Sequence, residues 1–490
     1  MTSALLLTTL LLPLIAGALL PLWRGHYSRH AGKVAAAVAA LVLACVVGLL
    51  TALRRGETPA LAVTWIPTAG IRFALQLDWL AFSFLLNVVV VTLLAAVYGW
   101  GYMHVHEGHR LPAFYALLLF FMGGMVGTVL ADDIFLFYIF WELMLVASCA
   151  LIAVWGEGDQ AGRVALKYFI LTQVGSLLVL IGLIALYVLT GTSSLTQLRA
   201  GLPGIDPRWA TALVTLFAIG FGVKMAVFPL HTWLPDAHSV APMPVTVMLA
   251  AAMLSMGVYG IVRFPLSLFD PSLLAGFSLP LMIAGVVSQF YGALMALAEQ
   301  DIKRIIAYSS VSQMGYALFG LGTLNQQGLA GAAMHMVNQG IVKALLFMGV
   351  GLVMRATGRR RISDLGGLRH ALPLAAIGSA VGALAITGSP PFCAFHSEWQ
   401  IFAGGFETPH TAVAILAVLA PAFTAAYALW FVRCIFLDPR PEGLEVSTPP
   451  LAMRVPFALL ALLTLAVGLY PAPLYDWVRR GVLAVMGGNW

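Results

Sequence analysis

Apolar runs of about 20 residues, long enough to cross a bilayer as a helix, recur along this chain almost without pause. In lipid each backbone amide must find its partner inside the protein, so this pattern defines an all-α integral membrane protein. Only 9% of residues are charged and 61% are hydrophobic, where a soluble domain carries about a quarter charged residues. No polar stretch is long enough to bury a core of its own, which excludes soluble domains. The first run, Ser3 to Trp23, has no basic residue before it and is too long for the core of a cleaved signal. It reads as the first span.

About fourteen transmembrane helices are expected, at 3–23, 32–53, 79–99, 113–131, 134–154, 164–190, 209–229, 240–263, 276–298, 304–322, 328–354, 371–405, 411–436 and 454–476. The twelfth is too long for a plain helix and contains Gly388, Pro390 and Pro391, so it should be broken. Loops after odd-numbered spans hold fifteen basic residues, Lys303 among them, against eight, Arg263 among them, in the remaining loops and the C-terminus. The net charge of +6 is therefore mainly a topology signal, and both termini are expected on the non-cytoplasmic side. Between spans two and three, Gly56 to Leu77 alternates apolar and polar residues around Pro67–Gly70 and reads as an external hairpin or an irregular loop.

Two spans resemble each other. Span seven ends in Lys224, Pro229, His231 and Pro235, and span twelve holds Pro390, Pro391, His396 and Glu398. Matching broken segments point to an inverted-repeat transporter, and a separation of five spans would invert the second copy. The expected organisation is residues 1–112 (helices 1–3 with the hairpin-like loop), 113–263 (first inverted five-helix repeat, broken helix 7), 276–436 (second repeat, broken helix 12) and 437–490 (final helix and tail).

Of five lysines, Lys224 and Lys343 fall well inside apolar spans, where a charge costs about 3 kcal/mol or more. Such a residue persists when it has a partner, faces water or does a job. A desolvated lysine, unlike arginine, can exchange a proton near neutral pH. The bland alternative is a snorkelling side chain near a helix end. Glu142, in Phe140-Trp141-Glu142, would be protonated or paired, and pairing with Lys224 would make a switch; the alternative is a static ion pair. Glu398 follows the break of span twelve. His335, eight residues before Lys343, and His231 and His238 beside the span-seven break are candidate relays or mere packing residues. Asp132 and Asp133 read as helix-start residues, and His104, His106 and His109 as solvated loop residues. Glu142, Lys224, Lys343 and Glu398 together make a buried line of acid, base, base and acid, which is what a hydrated proton path needs.

Cys45, Cys149, Cys393 and Cys434 form no CxxC pair or Cys/His cluster, and no Gly-rich phosphate loop follows a strand. No metal and no cofactor is expected on this chain; redox chemistry belongs to another.

The stretch from Val223 to His238, Lys-Met-Ala-Val-Phe-Pro-Leu-His-Thr-Trp-Leu-Pro-Asp-Ala-His after its first valine, resembles the signature of the antiporter-like subunits of respiratory complex I. Asp301-Ile302-Lys303-Arg304-Ile305-Ile306-Ala307-Tyr308-Ser309-Ser310 strengthens the resemblance, which runs from about Pro112 to Phe406. The family includes Mrp-type sodium/proton antiporter subunits and membrane subunits of energy-converting hydrogenases. The chain looks most like the M-type subunit, with fourteen spans and Glu398 in the broken twelfth helix. It ends at Trp490 without room for the lateral helix of L-type subunits. The resemblance implies that Glu142 and Lys224 form a modulating pair, that Lys343 sits on a central axis and that Glu398 is the exit-side carrier. Ser255 stands where M-type subunits usually have a lysine, and His335 to Phe347 looks more like L-type, Mrp or hydrogenase subunits.

The expected function is proton translocation, as a non-redox subunit of a redox-driven quinone oxidoreductase complex. It would sit in a bacterial or archaeal plasma membrane with other membrane subunits, and Lys167 and Ser255 join the candidate relay. An Mrp-type Na⁺/H⁺ antiporter subunit or a hydrogenase membrane subunit is the alternative, and a non-conducting scaffold is a third reading.

Overall fold

The computed structural model describes residues 2–23, 28, 30–103, 110–202 and 205–486. His104, His106, His109, Arg24 and Arg29 lie outside the described residues. The chain runs through α1 (Thr2–Leu19), α2 (Ala31–Arg54), β1 (Ala60–Ile66), β2 (Ile71–Gln76), α3 (Trp79–Tyr102), α4 (Leu111–Leu130) and α5 (Ile134–Trp155). It continues with α6 (Ala161–Thr190), α7 (Leu195–Gly201), α8 (Pro207–Met225), α9 (Leu234–Val240), α10 (Met243–Met248), α11 (Leu254–Ile261) and α12 (Pro271–Ala298). Then follow α13 (Ile302–Gly322), α14 (Gln326–Thr357), α15 (Pro373–Ile386), α16 (Cys393–Phe406), α17 (Thr411–Val432), α18 (Leu451–Leu469) and α19 (Ala472–Met486).

Twelve helical segments among the described residues are long and apolar enough to cross a membrane. The 21-residue α13 and the interrupted pair α15 and α16 stand beside them. Six helices begin on an Asp or Asn that accepts backbone N–H bonds: Asp78, Asp133, Asp206, Asp270, Asp301 and Asn325. That arrangement satisfies donors a helix start leaves unpaired. Asp133 shows the expected helix-start role, accepting from Phe135 and Leu136 at 2.9 and 3.1 Å.

Burial separates centre from rim. The central stretches of the Met243–Leu266 segment and of α14 are wholly enclosed by protein, whereas those of α1, α2, α17 and α18 are about one-third buried. Helices apolar all round and enclosed by others form the middle of the bundle; the partly bare ones suit a lipid boundary. The α12/α13 pair is packed through glycine: a Cβ on Gly285 or Gly315 would lie 2.5 Å from a backbone nitrogen of the facing helix. Such small-residue seams are how membrane helices approach closely.

The segment between α2 and α3 is an antiparallel hairpin, with Leu61 opposite Leu75 and Val63 opposite Phe73. Its alternation was readable because side chains on a strand point to opposite faces. Residues 371–405 are in two pieces, α15 and α16, separated at Gly388–Pro391. α8 likewise stops at Met225, where Ala226 takes a left-handed conformation (φ 56°). Both interruptions contain a cis X–Pro bond, at Phe228–Pro229 and Pro390–Pro391. The segment placed at 240–263 runs from 243 to 266 and carries two π-helical stretches, Leu249–Met253 and Val262–Leu266. Beyond α18 the tail forms α19, a helix no apolar run announced; Trp477 stacks on Trp79 at the start of α3.

Candidate functional site

The first charged cluster is built on α5 and α8. Glu142 is half-buried on α5, and its carboxylate faces the Tyr138 hydroxyl, which also faces Gln173 of α6. Its neighbour Trp141 is buried and donates to Ser176 Oγ at 2.9 Å. Lys224 occupies the last turn of α8, where the helix dipole favours a cation. It is buried, its Nζ has no hydrogen-bond partner, and the ammonium lies 5.2 Å over the Trp141 ring. Direct pairing of Glu142 with Lys224 is thus not what the structure shows. The indole stands against the ammonium, and the carboxylate acts on it from a distance. In a low-dielectric interior that influence persists without contact.

His231 follows the break, its ring packed against Phe228 and Tyr291 with centroids at 5.7 and 4.7 Å. His238, on α9, is fully buried and stacks on Phe347 of α14; neither ring nitrogen has a partner. Ser255 is buried in the central segment, and its hydroxyl donates at 2.6 Å to the carbonyl of Ala252 in its own helix. Just before it, Asn87 of α3 donates at 2.9 Å to the Ala251 carbonyl within the first π-helical stretch. Ser255 therefore has its hydroxyl engaged within its own helix.

The second cluster is more densely hydrogen-bonded. His335, Gln339 and Lys343 follow one another at four-residue intervals on α14 and so share a face. Ser309 and Gln313 do the same on α13. Lys343 Nζ donates to Ser309 Oγ. His335 reaches Gln313 Oε1 at 3.0 Å and Ser397 Oγ at 3.1 Å, while Gln339 donates to Gln313 Oε1 at 2.9 Å. Asn338 donates to Ser397 Oγ and to the Cys393 carbonyl, tying α14 to the start of α16. The next residue is Glu398, 4% exposed, with Oε1 unpartnered and Oε2 against the Cα of Gly388 in the break. A Cβ at Gly388 would overlap that oxygen, so glycine there makes room for the carboxylate and also supplies φ 64°.

Lys167 does not join either cluster. It is 44% exposed and pairs with Asp236 of α9 at 2.6 Å. Asp236 also holds Arg304 at 2.9 Å. Lys303, counted from sequence as a loop residue, is fully buried and pairs with Glu157 at 3.1 Å. Arg263, counted likewise, pairs with Asp78 at 2.6 Å and donates to the Tyr259 hydroxyl. Sequence reading missed these, together with Ser309, Gln313, Gln339 and Asn338. For Ser309, Gln313 and Gln339 a signal existed, polar residues repeating every fourth position in an apolar helix; for Lys303 it did not. Among the described residues no three His, Cys, Asp or Glu side chains cluster as a metal site requires.

A many-helix membrane protein with ionisable side chains strung through its enclosed centre is built as an ion-translocating membrane subunit. Residues 131–424 match the family described as NADH:quinone oxidoreductase/Mrp antiporter, TM, and residues 65–115 match the complex I chain 5 N-terminus family. The chain belongs to the NADH:quinone oxidoreductase/Mrp antiporter family. It is 34% identical over 476 residues to an NAD(P)H-quinone oxidoreductase chain 4 of Synechococcus sp. (strain JA-3-3Ab), covering 94% of this chain and 89% of that one. It is 35% identical to NADH-quinone oxidoreductase subunit M of Escherichia coli (strain K12), over 84% of this chain and 82% of that one. In structure it resembles a chain of respiratory complex I from Thermus thermophilus with bound NADH, at TM-score 0.87 and 27% identity, covering 99% of this chain and all of that one. A chain of an archaeal membrane-bound sulfane sulfur reductase also gives 0.87, at 26% identity over 98% of this chain and 97% of that one.

Proposed function

We propose that this chain is the proton-translocating, antiporter-like membrane subunit of a redox-driven quinone oxidoreductase complex of complex I type. One observation carries the reading: the Lys343–Ser309 bond and the Gln313–His335–Ser397 chain lie in the enclosed centre among residues that are all buried, and the residue after Ser397 is the buried Glu398. Buried polar groups with no structural need are costly, and an intramembrane ionisable residue is by default a functional one. Glu142 and Lys224 set the proton affinity of the first half, Lys343 and His335 occupy the second, and Glu398 is the terminal carrier. Electrons stay on other subunits, and this chain binds no cofactor.

Counting α13 as a span and α15 with α16 as one interrupted span gives fourteen crossings. Residues 113–263 and 276–436 then form the two inverted repeats, between 1–112 and 437–490, with both termini outside the cytoplasm. The membrane is a bacterial or archaeal plasma membrane, shared with further subunits of the complex. In the assembled complex, Lys224→Ala and Glu398→Ala are expected to lower proton pumping and coupled turnover. Normal assembly with unchanged pumping in both would remove the proposal.

Likeness to a chain of the Mrp complex from Dietzia sp. DQ12-45-1b (TM-score 0.86, 29% identity, 98% of this chain and 52% of that one) supports a second reading, a sodium/proton antiporter subunit. Sodium-dependent proton flux without an electron donor would favour it.

A further inference from the structure

His238 is bracketed by two buried lysines that lie on different helices. Its stacking partner Phe347, at 5.2 Å, is one helical turn from Lys343 on α14, so the ring lies along the face that carries that ammonium. Beside the same short helix, Lys303 sends its ammonium to the carbonyl of Ala241 at 2.9 Å, three residues beyond His238. Lys343 and Lys303 are the charges that act on the imidazole. Both ring nitrogens are buried without a hydrogen-bond partner, an arrangement that packing alone would fill more cheaply with a hydrocarbon ring.

Lys303 leads outward. Its Nζ lies 3.1 Å from Glu157 Oε2, and the Glu157 side chain is 27% exposed on the loop between α5 and α6. The other carboxylate oxygen accepts from the Tyr102 hydroxyl at 2.8 Å. Arg360 approaches Glu157 at 3.8 Å but is held closer by Asp301. A half-exposed carboxylate, a buried ammonium and a buried imidazole thus stand in order between the loop face and Lys343.

We propose that Glu157, Lys303 and His238 form a proton inlet that supplies Lys343 from the loop face, independently of Lys224. The inference rests on the proton-carrying reading above. Lys303 gives a proton to one ring nitrogen of His238, and the imidazolium releases the proton on its other nitrogen towards the Lys343 amine, with water spanning the gaps. Glu157 takes a proton from the aqueous face and restores Lys303. One proton is taken up, one arrives, and only N–H and O–H bonds change. The route removes the need for a proton to cross at Ser255, whose hydroxyl is engaged within its own helix.

The test is the proton-to-electron ratio of the assembled complex in proteoliposomes, with electron transfer measured separately in the presence of an uncoupler. Lys343→Ala sets the loss due to the second half. His238→Leu and Glu157→Gln are expected to lower the ratio by that same fraction with uncoupled electron transfer unchanged, and Glu157→Asp to retain it. Glu157→Gln keeps the shape of the half-exposed site, so it carries the test if His238→Leu does not assemble. A wild-type ratio in Glu157→Gln alongside a loss in Lys343→Ala overturns the inlet and leaves the proton-carrying reading standing. A wild-type ratio in Lys343→Ala as well overturns both.

Discussion

The two halves of the molecule hold their buried lysines in opposite ways. Lys224 meets an aromatic face and no hydrogen-bond acceptor, with Glu142 acting across a gap. Lys343 is bonded to Ser309, one turn from Gln313, inside a network that continues to Ser397. The first half is suited to electrostatic control, because a charge that lacks local partners responds strongly to a distant one. The second is suited to passing a proton along, because most of its groups are already hydrogen-bonded to a neighbour.

Substitutions can break this contrast. Removing either lysine should abolish the function of that half: Lys224→Met and Lys343→Met are each expected to lower coupled turnover at least tenfold, about 1.4 kcal/mol in barrier. Their effects on stability should differ. Lys224→Met relieves an unpartnered buried ammonium and should stabilise the complex by up to about 3 kcal/mol, read as a raised thermal midpoint in detergent. Lys343→Met leaves the Ser309 hydroxyl and should gain clearly less; equal gains would erase the distinction.

Histidine gives a second comparison. His335→Leu removes two buried bonds, to Gln313 and Ser397, each of which keeps another partner, and should destabilise by about 1 to 2 kcal/mol. His238→Leu strands nothing and should leave the midpoint unchanged or raised. Trp141→Leu removes the aromatic face over Lys224 and the bond to Ser176, with an expected loss of about 1 kcal/mol. Lys167→Ala, which breaks only an exposed ion pair, should change stability by less than about 1 kcal/mol and leave pumping intact.

Helices, the hairpin and both interruptions were legible because each rests on local chemistry: run length, alternation, and proline with glycine. The four principal charges were legible because a charge inside an apolar run is conspicuous. Contact was not. Whether Glu142 touches Lys224 depends on how α5 and α8 pack, which no spacing specifies. Lys303 looked like a loop residue since Asp301, Lys303 and Arg304 form a charged cluster; its burial comes from α9 and the α5–α6 loop folding over it. Conversely Lys167 sits in an apolar run yet points to the loop face.

The central claim is that buried side chains of this chain gain and lose protons during turnover. It is tested most directly by redox-induced infrared difference spectroscopy of the reconstituted complex, comparing the wild type with Glu398→Gln. The account predicts a carboxylic C=O difference band in the wild type that disappears in Glu398→Gln while the bands of the electron carriers remain. An identical carboxylic spectrum in the two proteins would contradict it.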